Sequence, residues 1–387
     1  MKINIVMGFF LPVPPAAGGA TEKSWHRLAT EFAARGHTVT VISRRWPGWP
    51  DRETIGGVQH LRLPGFDHRR KLWQNLALDL RWSLRVQAAL PSADLTVVNA
   101  VTLPCWLARA RPAAGRVVVM PGRMPKGQFR LYRGLARVLA TSTPVRDCVL
   151  AENPALAGVT RIFGYPIAWE SLALPPRPAP GGETVLGYVG RLHREKGLDL
   201  LVEACARLAT RSLPPWRVLL CGPVDIARGG SGPAYRDALA ARLAGCLPAD
   251  RFTVAEATFD EAALARRYRE IDVFCYPSLA AQGETFGVAV AEAMAAGAAP
   301  VVSDLACFRD FVHDGANGLV FDHPAPDAPD RLADRLATLI ADPVRRLRLA
   351  AQGQADVRRY DFPVFADRLL ADFASLLSPL DRAGAVL

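Results

Sequence analysis

The chain has 387 residues, half of them hydrophobic, and a formal net charge of +10. That length and apolar content favour two domains over a single core, and the mix of charged and aromatic residues excludes a disordered chain. No uninterrupted apolar run of about 18 residues occurs, which excludes a membrane-spanning helix; 7 cysteines without C-x-x-C spacing exclude a disulfide framework or zinc site and favour a reducing cytoplasm.

The opening KINIVM (2–7) reads as a buried strand, and prolines soon break the apolar run that a secretory signal needs. A Pro/Gly loop leads into the helix TEKSWHRLATEFAARG, where Trp25, Leu28, Ala29 and Phe32 recur at helical spacing and Gly36 closes the pattern. Strands follow at HTVTVIS, VQHLRL, DLTVVN, RVVVM and RVLATS. LALPPRPAPGGE (172–183) has the proline and glycine density of a linker. The pattern then restarts with TVLGYVG, the helix LDLLVEACARLAT and the strands WRVLLCGP, FTVA, DVFCYP, APVVS and GLVF, before a wholly helical C-terminal stretch.

Strands that alternate with helices predict parallel sheets. The fold class is therefore α/β, with two Rossmann-like doubly wound domains facing each other across a cleft. The expected boundaries are 1–172 for the first domain, 173–183 for the linker, 184–358 for the second domain and 359–387 for a helical tail that crosses back to the first. Ligands of such sheets bind outside the carboxyl ends of the strands. All the positive excess lies in the first part: 23 Lys and Arg against 10 Asp and Glu through Glu170, then 24 against 27. Two halves of such different charge imply different partners.

Three stretches carry chemistry. GRLHREKG (190–197) follows a strand and opens a helix, so its amides favour an anion, with Arg191 and Lys196 adding two cations and Gly190 permitting close approach. It fits a diphosphate and is not a Walker loop; an exposed basic loop is the plainer alternative. ETFGVAVAE (284–292) places two carboxylates in an otherwise core-like run. A helix from about Gly287 to Ala296, ended by Gly297, separates Glu284 and Glu292 by about 12 Å of rise. That is too far for the paired acids of an ordinary glycosidase, roughly 5–10 Å apart, but it suits the two ends of an elongated ligand such as a nucleotide sugar. The amides of Thr285, Phe286 and Gly287 lie between those ends. The plainer alternative leaves Glu292 on a solvated helix face. PPAAGGATEKS carries Gly18 and Gly19, which bring backbone close to a ligand at another helix N-terminus but lack the dinucleotide fingerprint.

Taken in order, the early G-G loop, LATSTPVRDCV, GRLHREKGLDLLVEA, CGP, YPS (276–278) and the E-x7-E string resemble retaining glycosyltransferases of family 4, with the GT-B fold, over most of the chain. The resemblance implies that Glu292 holds ribose, Arg191 and Lys196 the diphosphate, and Glu284 with the following amides the donor sugar. It places the base near Val254 to Ala257. Glu284, Arg191 and Lys196 are then the catalytic group, and Gly18, Gly19, Gly190, Thr285, Phe286, Gly287 and Val288 complete the donor site. It implies no metal and no cofactor beyond a nucleotide-sugar co-substrate, UDP-hexose or GDP-mannose. The leaving diphosphate helps to deprotonate the acceptor in a front-face displacement.

The chain departs from the family pattern at three places. Pro121, in VVVMPGRMPKG, stands where the family often has a histidine; FGYPIAWE replaces an N-G-V-D-like turn; and SDLACFRDF lacks a glycine pair. The acceptor, a saccharide or glycolipid, is expected on the first domain. There FDHRRKLWQNLALDLRWSLRVQAAL combines Arg69, Arg70, Lys71, Arg81 and Arg85 with Trp73 and Trp82, and RRWPGWPDRE adds two further tryptophans. Such a helix rests on an anionic membrane surface or holds an acidic glycan; a normal helix with a solvated basic face is the alternative. Nucleic acid is not expected, since no binding motif accompanies the charge. The localisation that follows is cytoplasmic, peripheral on the inner face of the cell membrane. The function is hexose transfer in surface polysaccharide or glycoconjugate synthesis. A GT-B-like epimerase or phosphorylase, or a non-catalytic nucleotide-sugar binding protein, is the competing reading.

Overall fold

The computed structural model describes residues 1–16, 18–173, 182–258 and 260–378. The stretch 174–181, the heart of the expected linker, lies outside the described residues. The strands are β1 (Lys2–Val6), β2 (Thr38–Arg44), β3 (Arg52–Ile55), β4 (Val58–Leu63), β5 (Leu95–Val98), β6 (Arg116–Val119), β7 (Arg137–Ala140), β8 (Thr160–Ile162), β9 (Thr184–Val189), β10 (Trp216–Cys221), β11 (Phe252–Ala255), β12 (Val273–Tyr276), β13 (Ala299–Ser303) and β14 (Leu319–Phe321). The α-helices are α1 (Ala20–Ala34), α2 (Leu72–Ala89), α3 (Leu107–Ala110), α4 (Thr143–Glu152), α5 (Trp169–Leu172), α6 (Leu198–Ala209), α7 (Pro233–Ala244), α8 (Glu261–Arg269), α9 (Val288–Ala295), α10 (Ala328–Ala341), α11 (Pro343–Val357) and α12 (Phe362–Ser375).

The chain forms two compact units, one of Met1–Pro166 with the segment from Phe362 onward, the other of Ile167–Asp361. The first unit holds an eight-stranded sheet in the order β3-β4-β2-β1-β5-β6-β7-β8. Its pairings are parallel except β3 with β4, which form a hairpin at the sheet edge through the Gly56-Gly57 turn. Central strands such as LTVV (95–98) are buried along their whole length, as strands covered on both faces must be. The C-terminal helix belongs to this unit because its apolar face is buried in it: Phe373 meets the Phe32 ring edge-on at 6.1 Å and Phe365 meets Phe163 at 6.1 Å. Arg137 Nε bonds Asp372 at 2.9 Å, and Arg35 reaches Asp367 at 2.5 Å.

The second unit holds a six-stranded, all-parallel sheet in the order β11-β10-β9-β12-β13-β14. It begins at Ile167, ahead of both the expected end of the first domain at 172 and the expected start of the second at 184. The reason is local bonding: Trp169 N donates to Asp361 at 3.0 Å and its indole to the Gln354 carbonyl at 2.9 Å, fixing α5 to this unit.

Candidate active site

In each sheet the strand order reverses direction at one point, between β1 and β5 in the first unit and between β9 and β12 in the second. Loops on either side of such a point diverge and leave a crevice at the carboxyl ends of the strands. The glycine loop of the first unit and the basic turn and Glu284 of the second fall at these two places.

In the second unit, the loop after β9 carries Gly190, Arg191 and Lys196, and the loop after β12 carries Ser278 and Glu284. The two loops are tied together: Leu279 N donates to the Glu195 carbonyl at 2.8 Å. Lys196 is 5% exposed and Glu284 7%, and Lys196 Nζ donates to Glu284 Oε1. The same oxygen accepts from the hydroxyls of Tyr276 at 3.1 Å and Ser278 at 3.0 Å. Burying an ion pair is costly unless further hydrogen bonds complete it, and here two hydroxyls do. Lys196 Nζ also lies 5.6 Å over the Tyr276 ring, which stacks on Tyr188 at 5.5 Å. Burial and the Glu284 carboxylate push the Tyr276 phenol well above its ordinary range, so it remains a donor.

Arg191 is exposed and held at two points, Nη1 on the Gly229 carbonyl at 2.9 Å and Nη2 on Glu195 Oε1 at 2.8 Å. His193 is structural here: its Nδ1 accepts from Glu195 N at 3.2 Å and caps the short turn before α6. Gly190 directly follows β9, and a Cβ there would lie 2.7 Å from the Tyr188 hydroxyl.

Glu292 sits half-buried on α9, where the Tyr268 hydroxyl donates to its Oε2 at 2.8 Å. Gly287 precedes that helix with φ 97°, and a Cβ there would lie 2.5 Å from the Phe308 ring. Only glycine meets both demands. The side chain of Phe286 is core: 2% exposed, stacked on Phe311 at 4.9 Å and edge-on to Tyr360 at 4.9 Å. Phe286 therefore has only its backbone to offer a ligand, alongside half-buried Thr285 and Val288 at the opening of α9. The first-turn amides of a helix have no intrahelical acceptor, and they attract anions. The segment proposed to face a base, Val254 to Ala257, runs off the end of β11, where Ala255 is in register with Cys221.

The first unit has a cavity of about 530 Å³ at its own reversal point. Gly8 and Phe10 line it from the loop after β1, Asn99 to Val101 from the loop after β5, and Met120 to Arg123 from the loop after β6. Gly18 and Gly19 belong to this unit, at the start of α1, and Gly19 lines this cavity. A Cβ on Gly19 would collide with the Glu22 carboxylate, so the glycine loop closes around a side chain of its own helix. Glu22 is 6% exposed; burial raises its carboxyl pKa, while its own backbone amide and Arg123 pull it back. Asp79 of α2, also buried, accepts from Val101 N at 3.3 Å, Thr102 N at 2.7 Å and the Thr102 hydroxyl at 2.7 Å. It fixes the loop after β5 and hence one cavity wall. Glu22 lines the cavity and Asp79 braces the loop after β5; neither is legible as a site residue, because only the sheet topology brings α1 and α2 to it.

Arg69, Arg70 and Lys71, just ahead of α2, are exposed, as are Trp73, Arg81 and Arg85 on the helix itself. Trp82 is not part of that surface: it is fully buried and its indole donates to the Met7 carbonyl at 2.9 Å. The helix turns this residue toward the sheet. Trp46 and Trp49 each lie under an arginine, Arg44 at 5.9 Å and Arg62 at 4.7 Å.

Residues 174–356 match the family described as glycosyl transferases group 1. A phosphatidyl-myo-inositol mannosyltransferase of Mycobacterium leprae is 36% identical over 400 residues, covering 96% of each chain. The chain belongs to this family. A D-inositol 3-phosphate glycosyltransferase of Xylanimonas cellulosilytica is 30% identical over 328 residues, 79% of this chain and 73% of that one. The sucrose-phosphate synthase of Thermosynechococcus elongatus superposes with a TM-score of 0.74 at 22% identity, covering 97% of this chain and 98% of that one, and shows the shared GT-B fold.

As a group 1 glycosyltransferase, the chain is a hexosyltransferase built on two Rossmann-like sheets. Pro121, where the family resemblance leads one to expect a histidine, lines the first-unit cavity, and His68 lines the same cavity. Among the described residues, no three His, Cys, Asp or Glu side chains are grouped to hold a metal ion. Nor is any helix among them long and apolar enough to cross a membrane.

Proposed function

We propose that this glycosyltransferase moves a hexose, with retention, from a nucleoside diphosphate sugar to an inositol-bearing glycolipid or a related saccharide. The observation that carries the donor assignment is the buried Lys196–Glu284 pair at the reversal point of the second sheet, with Arg191 and Glu292 on the flanking elements. Arg191 and Lys196 meet the diphosphate, Glu292 the ribose hydroxyls, and the second oxygen of Glu284 a sugar hydroxyl. In the transfer, the bond from the anomeric carbon to the diphosphate oxygen breaks. The acceptor oxygen bonds to the same face, and its proton passes to the departing phosphate. The two cations stabilise the charge that builds there, so the chemistry proceeds without a metal ion.

The names of the curated relatives, mannosyltransferases of phosphatidyl-myo-inositol, favour a mannose donor and an inositol lipid acceptor. The acceptor head group fills the 530 Å³ cavity of the first unit. Access to a lipid comes from α2. Leu72, Leu76, Leu80 and Leu84 recur every fourth residue and are 71%, 40%, 43% and 55% exposed, with Trp73 65% exposed beside them. An apolar stripe with Arg69, Arg70 and Lys71 at one end suits the interface of an anionic bilayer. That places the enzyme on the inner face of the cell membrane. Thermal stabilisation by a panel of nucleotide sugars tests the donor. Transfer of labelled mannose to vesicles containing phosphatidylinositol, absent from vesicles lacking it, tests the acceptor. Transfer to neither lipid nor free inositol phosphate would reject the acceptor assignment.

A further inference from the structure

The short turn after β9 contains a carboxylate that the reaction scheme above does not use. Glu195 Oε1 accepts from Arg191 Nη2 at 2.8 Å and lies 3.9 Å from Lys196 Nζ. Its backbone is fixed on both sides, by the His193 imidazole at its amide and by Leu279 N at its carbonyl. Its side chain is one-third exposed, unlike that of Glu284. Arg191, Lys196, Glu195 and Glu284 together carry no net charge. Arg194, the remaining cation of this turn, lies 4.7 Å over the Tyr235 ring, so at Arg191 and Lys196 themselves a diphosphate meets no excess positive charge. It has to take over cation donors that carboxylates already hold, and of the two carboxylates only Glu195 has room to move away.

We propose that Glu195 is a positioning residue that works as a placeholder anion. It aims the Arg191 guanidinium at the site where a phosphate oxygen binds, and it competes with that oxygen for the same donor. The Gly229 carbonyl holds the other nitrogen throughout, so the guanidinium keeps its plane while its partner changes. The cost of this arrangement is weaker nucleotide binding, and the gain is a carboxylate ready to reclaim Arg191 as the nucleoside diphosphate product leaves. This inference rests on the assignment of Arg191 and Lys196 to the diphosphate.

The test is calorimetric titration of the full-length enzyme with UDP and with GDP, using Glu195→Gln, Glu195→Asp and Arg191→Ala. Removing one like charge within a few ångströms of the phosphates should tighten binding of the accepted nucleotide in Glu195→Gln by about five- to tenfold, and the gain should shrink at high salt. Product inhibition should tighten by the same factor. Glu195→Asp keeps the charge and should stay near the wild-type affinity. Unchanged or weaker binding by Glu195→Gln, in a protein that melts as the wild type does, would overturn the proposal, as would equal tightening in Glu195→Asp. If Arg191→Ala binds both nucleotides as well as the wild type, or if the wild type binds neither, the diphosphate assignment falls and takes this inference with it. If Arg191→Ala weakens binding but Glu195→Gln does not tighten it, only the placeholder role is lost.

Discussion

Lys196 and Glu284, 88 residues apart in the chain, form an ion pair buried between the loops after β9 and β12. Neither side chain can be removed alone without leaving the other charged in a site that water scarcely reaches. Breaking a buried pair from one side costs about 3–5 kcal/mol, whereas replacing both partners by apolar groups of similar size is often neutral. Glu284→Ala and Lys196→Ala should each lower stability by about that amount in urea unfolding. The double variant Lys196→Met, Glu284→Leu should recover most of the loss while transferring no sugar. Additive losses in the double variant would refute the coupling.

Glu292 and Glu284 should differ in kind when each is altered conservatively. Glu284→Gln keeps the shape and should reduce turnover by about a hundredfold, the scale of losing one preorganised electrostatic contact. Glu292→Gln should mainly raise the donor KM. Tyr268→Phe, which deletes the hydroxyl bonded to Glu292, should raise that KM about threefold to tenfold. Steady-state kinetics with saturating acceptor would separate the effects, and exchanged phenotypes would reverse the assignment.

His60 gives the first unit an acid-sensitive point. It is 2% exposed, and burial followed by the Arg62 and His26 charges brings its pKa down to about 4, against an upward pull from the Glu53 carboxylate. The neighbouring His26 is lowered too, by burial and by Arg27. An unfolded histidine titrates near 6.5, so between about pH 6.5 and pH 4 the unfolded chain binds more protons than the folded one. Stability contributed by neutral His60 is therefore complete above pH 6.5 and is lost as the pH falls toward 4, by up to about 3 kcal/mol. Urea unfolding at pH 7 and pH 5 should show that slope, and His60→Gln should flatten it.

The stripe on α2 predicts binding to anionic vesicles. Each basic residue near such a surface contributes about 1 kcal/mol. The triple variant Arg69→Gln, Arg70→Gln, Lys71→Gln should therefore lose partitioning on the order of a hundredfold, and Leu76→Asp with Leu80→Asp should lose it at any salt concentration. Vesicle flotation checks both. Flotation independent of anionic lipid would leave α2 a solvated helix.

The C-terminal helix should be indispensable to the first unit. Phe373→Ala removes a fully buried ring packed on Phe32, and truncations of this kind cost about 3–5 kcal/mol. A melting temperature close to that of the wild type would show that the helix contributes little.

Much of this architecture is legible in the sequence, because parallel strands buried on both faces read as unbroken apolar runs such as VVV at 117–119. The β3 strand, RETI, is largely exposed at the sheet edge and shows no such run, although the Gly-Gly pair after it marks a hairpin. The three residues of β8 are too few to show a period. On α2, spacing alone could not say which tryptophan faces the sheet, so Trp82 and Trp73 read alike while one is fully buried and the other 65% exposed. The E-x7-E string and the basic turn stand out locally. The contact between Lys196 and Glu284 does not, because it depends on two loops that meet only once β9 and β12 lie side by side.

The most direct measurement is a crystal structure of the full-length enzyme with its nucleotide sugar bound. The predicted result is one extended donor on the second unit, with ribose hydroxyls on Glu292, phosphate oxygens on Arg191 and Lys196, and the sugar beside Glu284. Donor density elsewhere, with these four side chains untouched by it, would contradict that assignment.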